Sequence, residues 1–432
     1  MNCYVEIYGC QMNAYDGDLV KTVMRRAGSA IVETPAEADV IFVVTCSVRE
    51  HAEQRVLGRL GELYSLKKER PGLVMGVLGC MAQRLGDELF RMAPYVDMVM
   101  GPDSYRQLPE TVSAVRRGTR HAAVLDDGAH ETYGEIELPE SGKVAVSVAA
   151  MRGCSEFCTY CIVPKVRGPE RSRPPAEIRA ETERAVAAGA VQVTLLGQNI
   201  TAYRSGETDL ADLLRIVADI PGLRRLRFLT SHPRYLGEEV GDAMAANGTI
   251  CRHMHLPLQS GSNRVLRMMG RRYTVEEYLA KVHSLRAKVP GIALTTDLIA
   301  GFPGETRADF EETLEVMREV VFDDAYTYKY SPRPGTPAVR IARDADPGEA
   351  QGRLEELIAL QRAHTAGRNR SFTGASIEVL VEGVSRKGTG EFFGKSSCGR
   401  SVVFAGEGLK AGDLVQVRIR GTTGPTLLGC AA

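Results

Sequence analysis

The sequence predicts an α/β protein of three units: a doubly wound parallel α/β domain over 1–118, an open six-stranded β/α barrel over 140–368, and a small β-barrel over 369–432. Three observations predict it. Short β-rich runs alternate with helical stretches through most of the chain, the rhythm of parallel sheets. A polar stretch at 121–143, rich in Gly and acids, interrupts that rhythm as a linker would. After a charged helix at 347–365 the chain changes to short strands and Gly turns.

Taken in order, apolar runs at 4–8, 40–44 and 73–78 are followed by helical stretches at 18–27, 49–68 and 83–92. Six further runs follow the linker, at 144–151, 191–196, 226–230, 253–258, 293–299 and 326–330, each separated from the next by a helical stretch. Six β/α repeats are too few to close an eight-fold barrel and enough for an open one. The last unit reads SIEVLVEGVSRK, EFFGKSSCGRSVVFAG and DLVQVRIRGTTGPTLLG.

Composition bounds the function. A chain of 432 residues is long enough for two or three domains, each with its own core. Lys and Arg number 54 against 54 Asp and Glu, so any nucleic-acid contact must come from local patches. The start, MNCYVEIYGC, lacks a basic segment followed by an apolar one, and no apolar run reaches the roughly 18 residues of a membrane span. A cytoplasmic protein with no membrane partner is expected. In that reducing compartment, ten cysteines point to metal or redox chemistry rather than disulfides.

Six of the ten are placed for it. In GCSEFCTYC, Cys154, Cys158 and Cys161 stand in C-x3-C-x2-C spacing just after a predicted strand. Three thiolates on one tight loop can hold three irons of a cubane cluster and leave the fourth open to an exogenous ligand. A zinc loop would close with a fourth Cys or His at similar spacing, and none follows. Cys10, Cys46 and Cys80 each end a β-like run, in YVEIYGC, DVIFVVTC and GLVMGVLGC. The carboxyl ends of parallel strands share one edge, so these three are expected to converge as a second triad. Cys3, Cys251, Cys398 and Cys430 share no such position.

The C-x3-C-x2-C spacing resembles that of the radical S-adenosylmethionine superfamily. Two triads in this order with a terminal β-barrel resemble its methylthiotransferases over nearly the whole chain. YGCQMNAYD, VVTCSVRE, GCSEFCTYCIVPKVRGPERSRP, LLGQNITAYR, FLTSHP, HLPLQSGS, DLIAGFPGET and YSPRPGTPA look like the MiaB-type branch, which acts on N(6)-isopentenyladenosine in tRNA. Gln11-Met12-Asn13 favours that branch over its siblings, which modify threonylcarbamoyladenosine in tRNA or an aspartate of a ribosomal protein. The last unit looks like an RNA-binding TRAM module of OB-like fold, with Lys395–Arg400 departing from the usual pattern.

The resemblance implies a transferase that adds a methylthio group to C2 of the base next to the anticodon. It implies two [4Fe-4S] clusters and S-adenosylmethionine, which ligates the open iron and is cleaved to a 5′-deoxyadenosyl radical. The partners implied are a tRNA anticodon stem-loop and an electron donor such as flavodoxin or ferredoxin, with the sulfur donor unknown and the protein a monomer. A non-catalytic iron–sulfur RNA-binding redox sensor is the reading of another class.

Around the barrel mouth, the candidate contacts to S-adenosylmethionine are Tyr160, Gly197, Gln198, Asn199, Ser231, Gln259, Ser260, Asp297 and Gly301. Most follow predicted strands, where β/α barrels gather their active groups. Gly301, in GFPGE, is expected to permit close approach of the adenosyl moiety. His232 reads equally as a site residue or a structural one. Arg152, Lys165, Arg167, Arg171 and Arg173 form an expected positive face, and Arg167, Arg171, Arg386, Lys387 and Arg418 are the candidate RNA contacts. Lys395, Arg400 and Arg420 add to the basic set, with Phe392, Phe393 and Phe404 near them.

Overall fold

Two runs of six buried residues, VIFVVT and VMGVLG, form the central strands of the first sheet, which is apolar on both faces because helices cover both. The computed structural model describes residues 1–47, 50–125, 128, 130–138, 142–341, 347–385 and 390–432, with no account of the side chains of 50–52 and 347. The first sheet comprises β1 (Asn2–Ile7), α1 (Gln11–Arg26), β2 (Ala30–Ile31), β3 (Val40–Thr45), α2 (Glu50–Glu69), β4 (Val74–Gly79), α3 (Cys80–Leu85), α4 (Glu88–Met92), β5 (Met98–Met100), α5 (Leu108–Arg116) and β6 (Ala122–Val124). Its order is β2-β1-β3-β4-β5-β6, parallel throughout. Leu19 and Val20 of α1 and Val112 of α5 pack on one face, and Leu60 of α2, Met81 of α3 and Leu89 of α4 on the other. The sheet is doubly wound, as expected.

Two segments differ from the sequence reading. α1 begins at Gln11 rather than at 18, because Asn13 and Asp16, polar residues that break the apolar period, are fully buried with Met12 and Tyr15. The stretch expected to be a linker supplies β6, which pairs with β5, and sends Tyr133 and Ile136 into the first core. The Tyr133 hydroxyl accepts from the Tyr105 N–H at 3.0 Å and donates to the Pro102 carbonyl at 3.0 Å. A three-residue strand and a lone aromatic are too short a signal for periodicity to register.

The barrel follows. Its elements are β7 (Ala145–Ala149), β8 (Met151–Arg152), α6 (Val163–Arg167), β9 (Arg171–Ser172), α7 (Pro175–Ala187), β10 (Gln192–Leu196), β11 (Arg204–Ser205), β12 (Thr208–Asp209), α8 (Leu210–Ala218), β13 (Arg225–Leu229), α9 (Glu238–Ala246), β14 (His253–His255), α10 (Asn263–Met268), α11 (Val275–Lys288), β15 (Ala293–Ala300), α12 (Arg307–Val320) and β16 (Asp324–Lys329). β7, β10 and β13 form one parallel triplet and β14, β15 and β16 another. The triplets meet where Leu226 bridges Ile250 and accepts the Cys251 N–H at 2.8 Å. The six strands therefore run in chain order, and among the described residues β7 and β16 do not pair. Thr274 with Glu277 and Thr306 with Asp309 form capping boxes that start α11 and α12 where they leave the barrel rim.

A long helix, α13 (Pro347–Arg370), leads to the third unit: β17 (Ser376–Val384), β18 (Glu391–Ser396), β19 (Ser401–Ala405), β20 (Leu414–Thr422) and β21 (Leu427–Ala431), closed as β17-β18-β19-β21-β20. It is fastened to the amino ends of the barrel strands. Arg225, the first residue of β13, donates to the Lys395 carbonyl at 2.6 Å and to the Glu378 side chain at 2.9 Å. Arg227 reaches the Ser396 carbonyl at 2.6 Å, and Arg400 is paired with Asp323 and Asn369. Arg400 and Lys395, read from sequence as basic surface, thus serve this junction, Arg400 with its side chain and Lys395 with its backbone. No helix among the described residues is long and apolar enough to cross a membrane.

Candidate metal centre

Cys10, Cys46 and Cys80 follow β1, β3 and β4, three strands that lie side by side. Neighbouring strands are about 4.8 Å apart, so their carboxyl ends bring residues distant in sequence to one edge. The thiols do meet. Cys46 hydrogen-bonds Cys10 and so draws the Cys10 thiol below its ordinary range, against desolvation and with help from the Arg167 charge. Cys80 is pushed up by burial, and Arg167 works against that rise. The Cys10 thiol also donates to the Asn13 side-chain oxygen at 3.2 Å, while the Asn13 amide donates to the Thr45 carbonyl at 2.7 Å. One buried side chain therefore ties the β1 loop to the end of β3.

The second triad lies on the loop between β8 and α6. The Cys154 N–H bonds the Gly168 carbonyl at 3.1 Å, the Cys161 N–H bonds the Cys158 carbonyl at 3.0 Å, and Thr159 is anchored by its N–H to Met269 and its hydroxyl to Met268, both at 2.8 Å. Burial pushes the Cys154 and Cys161 thiols up to about 12, although backbone N–H groups of Glu156 and Val163 favour their thiolates. Such thiols stay protonated unless a metal supplies the missing positive charge. Among the described residues no three His, Cys, Asp or Glu side chains form a group that could hold a single metal ion. Soft sulfur donors with backbone amides directed at them suit iron–sulfur ligation.

The two triads adjoin. Cys80 packs in one small cluster with Ile162 and Val166, the first of which directly follows Cys161. Arg167, at the end of the same helix, donates from Nε to Cys80 Sγ at 3.2 Å and from Nη2 to Asp16 at 2.6 Å. Arg152 is ion-paired with the other Asp16 oxygen at 2.9 Å, and Arg171 holds Asp103 with two contacts of 2.9 Å. This corrects the expected RNA contacts. Arg167 is 4% exposed and both it and Arg171 are committed to buried carboxylates between the domains, so neither offers a free guanidinium to a phosphate. Arg173 is likewise buried, on Glu181. Arg386 and Lys387 lie outside the described residues. Arg418 and Arg420 are exposed on β20, alternating with buried Val417 and Ile419.

The loops that leave the barrel strands bring most of the other candidates to the same end. Tyr160 is half-buried with its ring edge-on to Phe302, 6.5 Å away. Gln198 accepts the Gly153 N–H at 2.5 Å and so fixes the start of the cysteine loop. Gly197 lies against Met151, and Asn199, buried, donates to Glu170 at 3.0 Å. Ser231 contacts Met254 at 3.4 Å, and Ser260 lies within 3.4 Å of the Thr313 hydroxyl. Gln259 holds a positive φ of 72° and bridges Leu298. Asp297 faces His255 at 3.4 Å on the half-buried inner side of β15. His232 is buried and held neutral, its pKa brought down to about 2 by burial and then by Arg271 and Arg234, and its Nδ1 accepts the Arg234 N–H. Its Nε2 is buried with no hydrogen-bond partner among the described residues. Gly301 holds a φ of +69° and packs under α13, where a Cβ would lie 2.3 Å from the Ala350 side chain.

Some residues of the centre carried no signal in the sequence. Arg271 is buried, with its guanidinium 3.5 Å from Cys158 Sγ and 3.2 Å from the Pro257 carbonyl. It stands 113 positions from that cysteine, and no spacing rule connects them. Gly153 has φ +76° and a Cβ there would sit 1.9 Å from the Pro169 carbonyl. Gly153→Ala is therefore expected to displace the loop and lower the iron held per chain after anaerobic reconstitution, measured by iron assay.

The centre and fold place this protein in the class of radical S-adenosylmethionine proteins. The model for that superfamily matches residues 148–317, a family described as uncharacterized, UPF0004, matches 2–101, and the TRAM domain matches 370–430. Among solved structures, the radical S-adenosylmethionine methyltransferase TsrM from Kitasatospora setae superposes with a TM-score of 0.59 at 16% identity, covering 78% of this chain and 76% of that one. The cobalamin-dependent radical enzyme OxsB gives 0.56 at 12% identity over 84% of this chain and 56% of the other. These share the fold. Much nearer in sequence are the tRNA-2-methylthio-N(6)-dimethylallyladenosine synthases of Bacteroides thetaiotaomicron, 43% identical over 99% of this chain and 95% of that protein, and of Chloroherpeton thalassium, 42% identical over the same shares. The chain belongs to the tRNA-2-methylthio-N(6)-dimethylallyladenosine synthase family.

Proposed function

We propose that this enzyme adds a methylthio group to C2 of N(6)-isopentenyladenosine beside the anticodon of tRNA, using two cysteine-held clusters in one cavity. The supporting observation is the contact between the triads: Cys80 packs on Ile162 and Val166, and Arg167 joins Cys80 to the other domain. Cys154, Cys158 and Cys161 hold the cluster that binds S-adenosylmethionine, and Cys10, Cys46 and Cys80 hold a second, which carries the sulfur. When bound, these groups supply the radical and sulfur chemistry needed at an inert adenine C–H bond.

The protein's part is position and exclusion of water. Gln198 and Thr159 fix the cysteine loop, and Arg271 places a positive charge beside Cys158. Tyr160, Gly197, Asn199, Ser231, Gln259, Ser260, Asp297 and Gly301 line or support the rim against which the cofactor rests. The target base lies in a single-stranded loop and needs little unpairing to enter. Arg418 on β20 meets the RNA backbone, and a small flavodoxin- or ferredoxin-type protein delivers the electrons.

Mass spectrometry of tRNA nucleosides from cells with and without the gene tests this reading. Loss of the 2-methylthio nucleoside with accumulation of isopentenyladenosine is expected. A change confined to threonylcarbamoyladenosine, or to a ribosomal protein, would assign the chain to a sibling activity instead.

A further inference from the structure

We propose that Arg167 is a positioning residue for the Cys10/Cys46/Cys80 centre, lending that centre a fixed positive charge from the neighbouring domain; this rests on the reading of those cysteines as a cluster site.

The contacts at the junction motivate it. Asp16 and Asp103 are buried beside three guanidinium groups, those of Arg152, Arg167 and Arg171. Arg167 is held by Asp16 through Nη2 at 2.6 Å, and its Nε donates to Cys80 Sγ at 3.2 Å. A hydrogen bond from a cation to sulfur favours the more negative form of that sulfur. The Arg167 Nη1 is buried and has no hydrogen-bond partner among the described residues.

Two consequences follow. A permanent charge donating to a ligand sulfur stabilises the more negative, reduced form of a cluster and raises its reduction potential. Because Arg167 ends the helix that follows the other triad, the charge is in place only when the two domains are packed together. Lysine can supply the same charge without the fork that bonds Asp16 and sulfur together.

The test uses the full-length chain carrying Cys154→Ala, Cys158→Ala and Cys161→Ala, so that only the N-terminal centre can take up iron. That parent is reconstituted anaerobically and its potential measured by redox titration with electron paramagnetic resonance, beside versions that add Arg167→Gln or Arg167→Lys. The expected result is a more negative potential in the Gln version and a potential close to the parent in the Lys version, with about four irons in each. An unchanged potential in the Gln version overturns the inference. If the Gln version holds no iron, the Lys version decides: recovery of iron at the parent potential supports the inference. Equal loss in both, with equal falls in unfolding midpoint, reduces Arg167 to a packing residue and overturns it. A parent that binds no iron would instead sink the reading of the triad as a cluster site.

Discussion

Replacing Cys158 by alanine is expected to abolish formation of 5′-deoxyadenosine from S-adenosylmethionine. Cys158 is the buried, central member of its triad, and the residue after it is anchored twice, to Met268 and Met269. The loop cannot slide to present a substitute. Removing one thiolate also leaves the buried Arg271 without the sulfur 3.5 Å from its guanidinium. Iron should fall to about four per chain and 5′-deoxyadenosine to background under anaerobic, reducing conditions. The far-ultraviolet spectrum should stay that of the parent, because a buried Cys→Ala change removes a single sulfur atom. Turnover above about a tenth of the parent rate, or roughly 1.4 kcal/mol of barrier, would remove Cys158 from the site.

The barrel was legible where its strands are short apolar runs, as in QVTLL, where all five residues are buried. The cysteines were legible because they end such runs, and strand ends of a parallel sheet share an edge. What was not legible depends on pairs far apart in the chain. Arg167 reads as a surface cation until Asp16, 151 positions away, is seen to hold it. Arg400 reads as RNA-facing until Asp323, 77 positions away, claims it. Sequence reasoning assigns charges to solvent by default, since long-range ion pairs leave no local pattern. The same default hid Asn13 and Asp16 and so moved the predicted start of α1 by seven residues, from 18 to 11. The packing of Ala350 against Gly301 was hidden for the same reason, since α13 lies far from it in the chain.

Cys46→Ala is expected to separate the two halves of the reaction: 5′-deoxyadenosine still forms, at a reduced rate, while no methylthio nucleoside appears. Cys46 suits this test better than Cys80. Cys80 packs on Ile162 and Val166 and bonds Arg167, so its loss would disturb the loop of the other triad. Cys46 takes no part in that small cluster, and its thiol hydrogen-bonds Cys10. Its removal costs the N-terminal centre one of three sulfurs and deprives the Cys10 thiol of the hydrogen bond that most favours its thiolate. The barrel, whose core draws nothing from Cys46, keeps its cluster loop and cofactor rim. Assays should therefore show about four irons per chain and continued cofactor cleavage. Chromatography with mass detection should find isopentenyladenosine unchanged in the tRNA. Methylthio product at a rate near that of the parent would deny the N-terminal triad any part in delivering sulfur. Loss of cofactor cleavage together with thiolation would mean that the barrel's chemistry depends on the first sheet far more closely than a contact through Cys80 and Arg167 can explain.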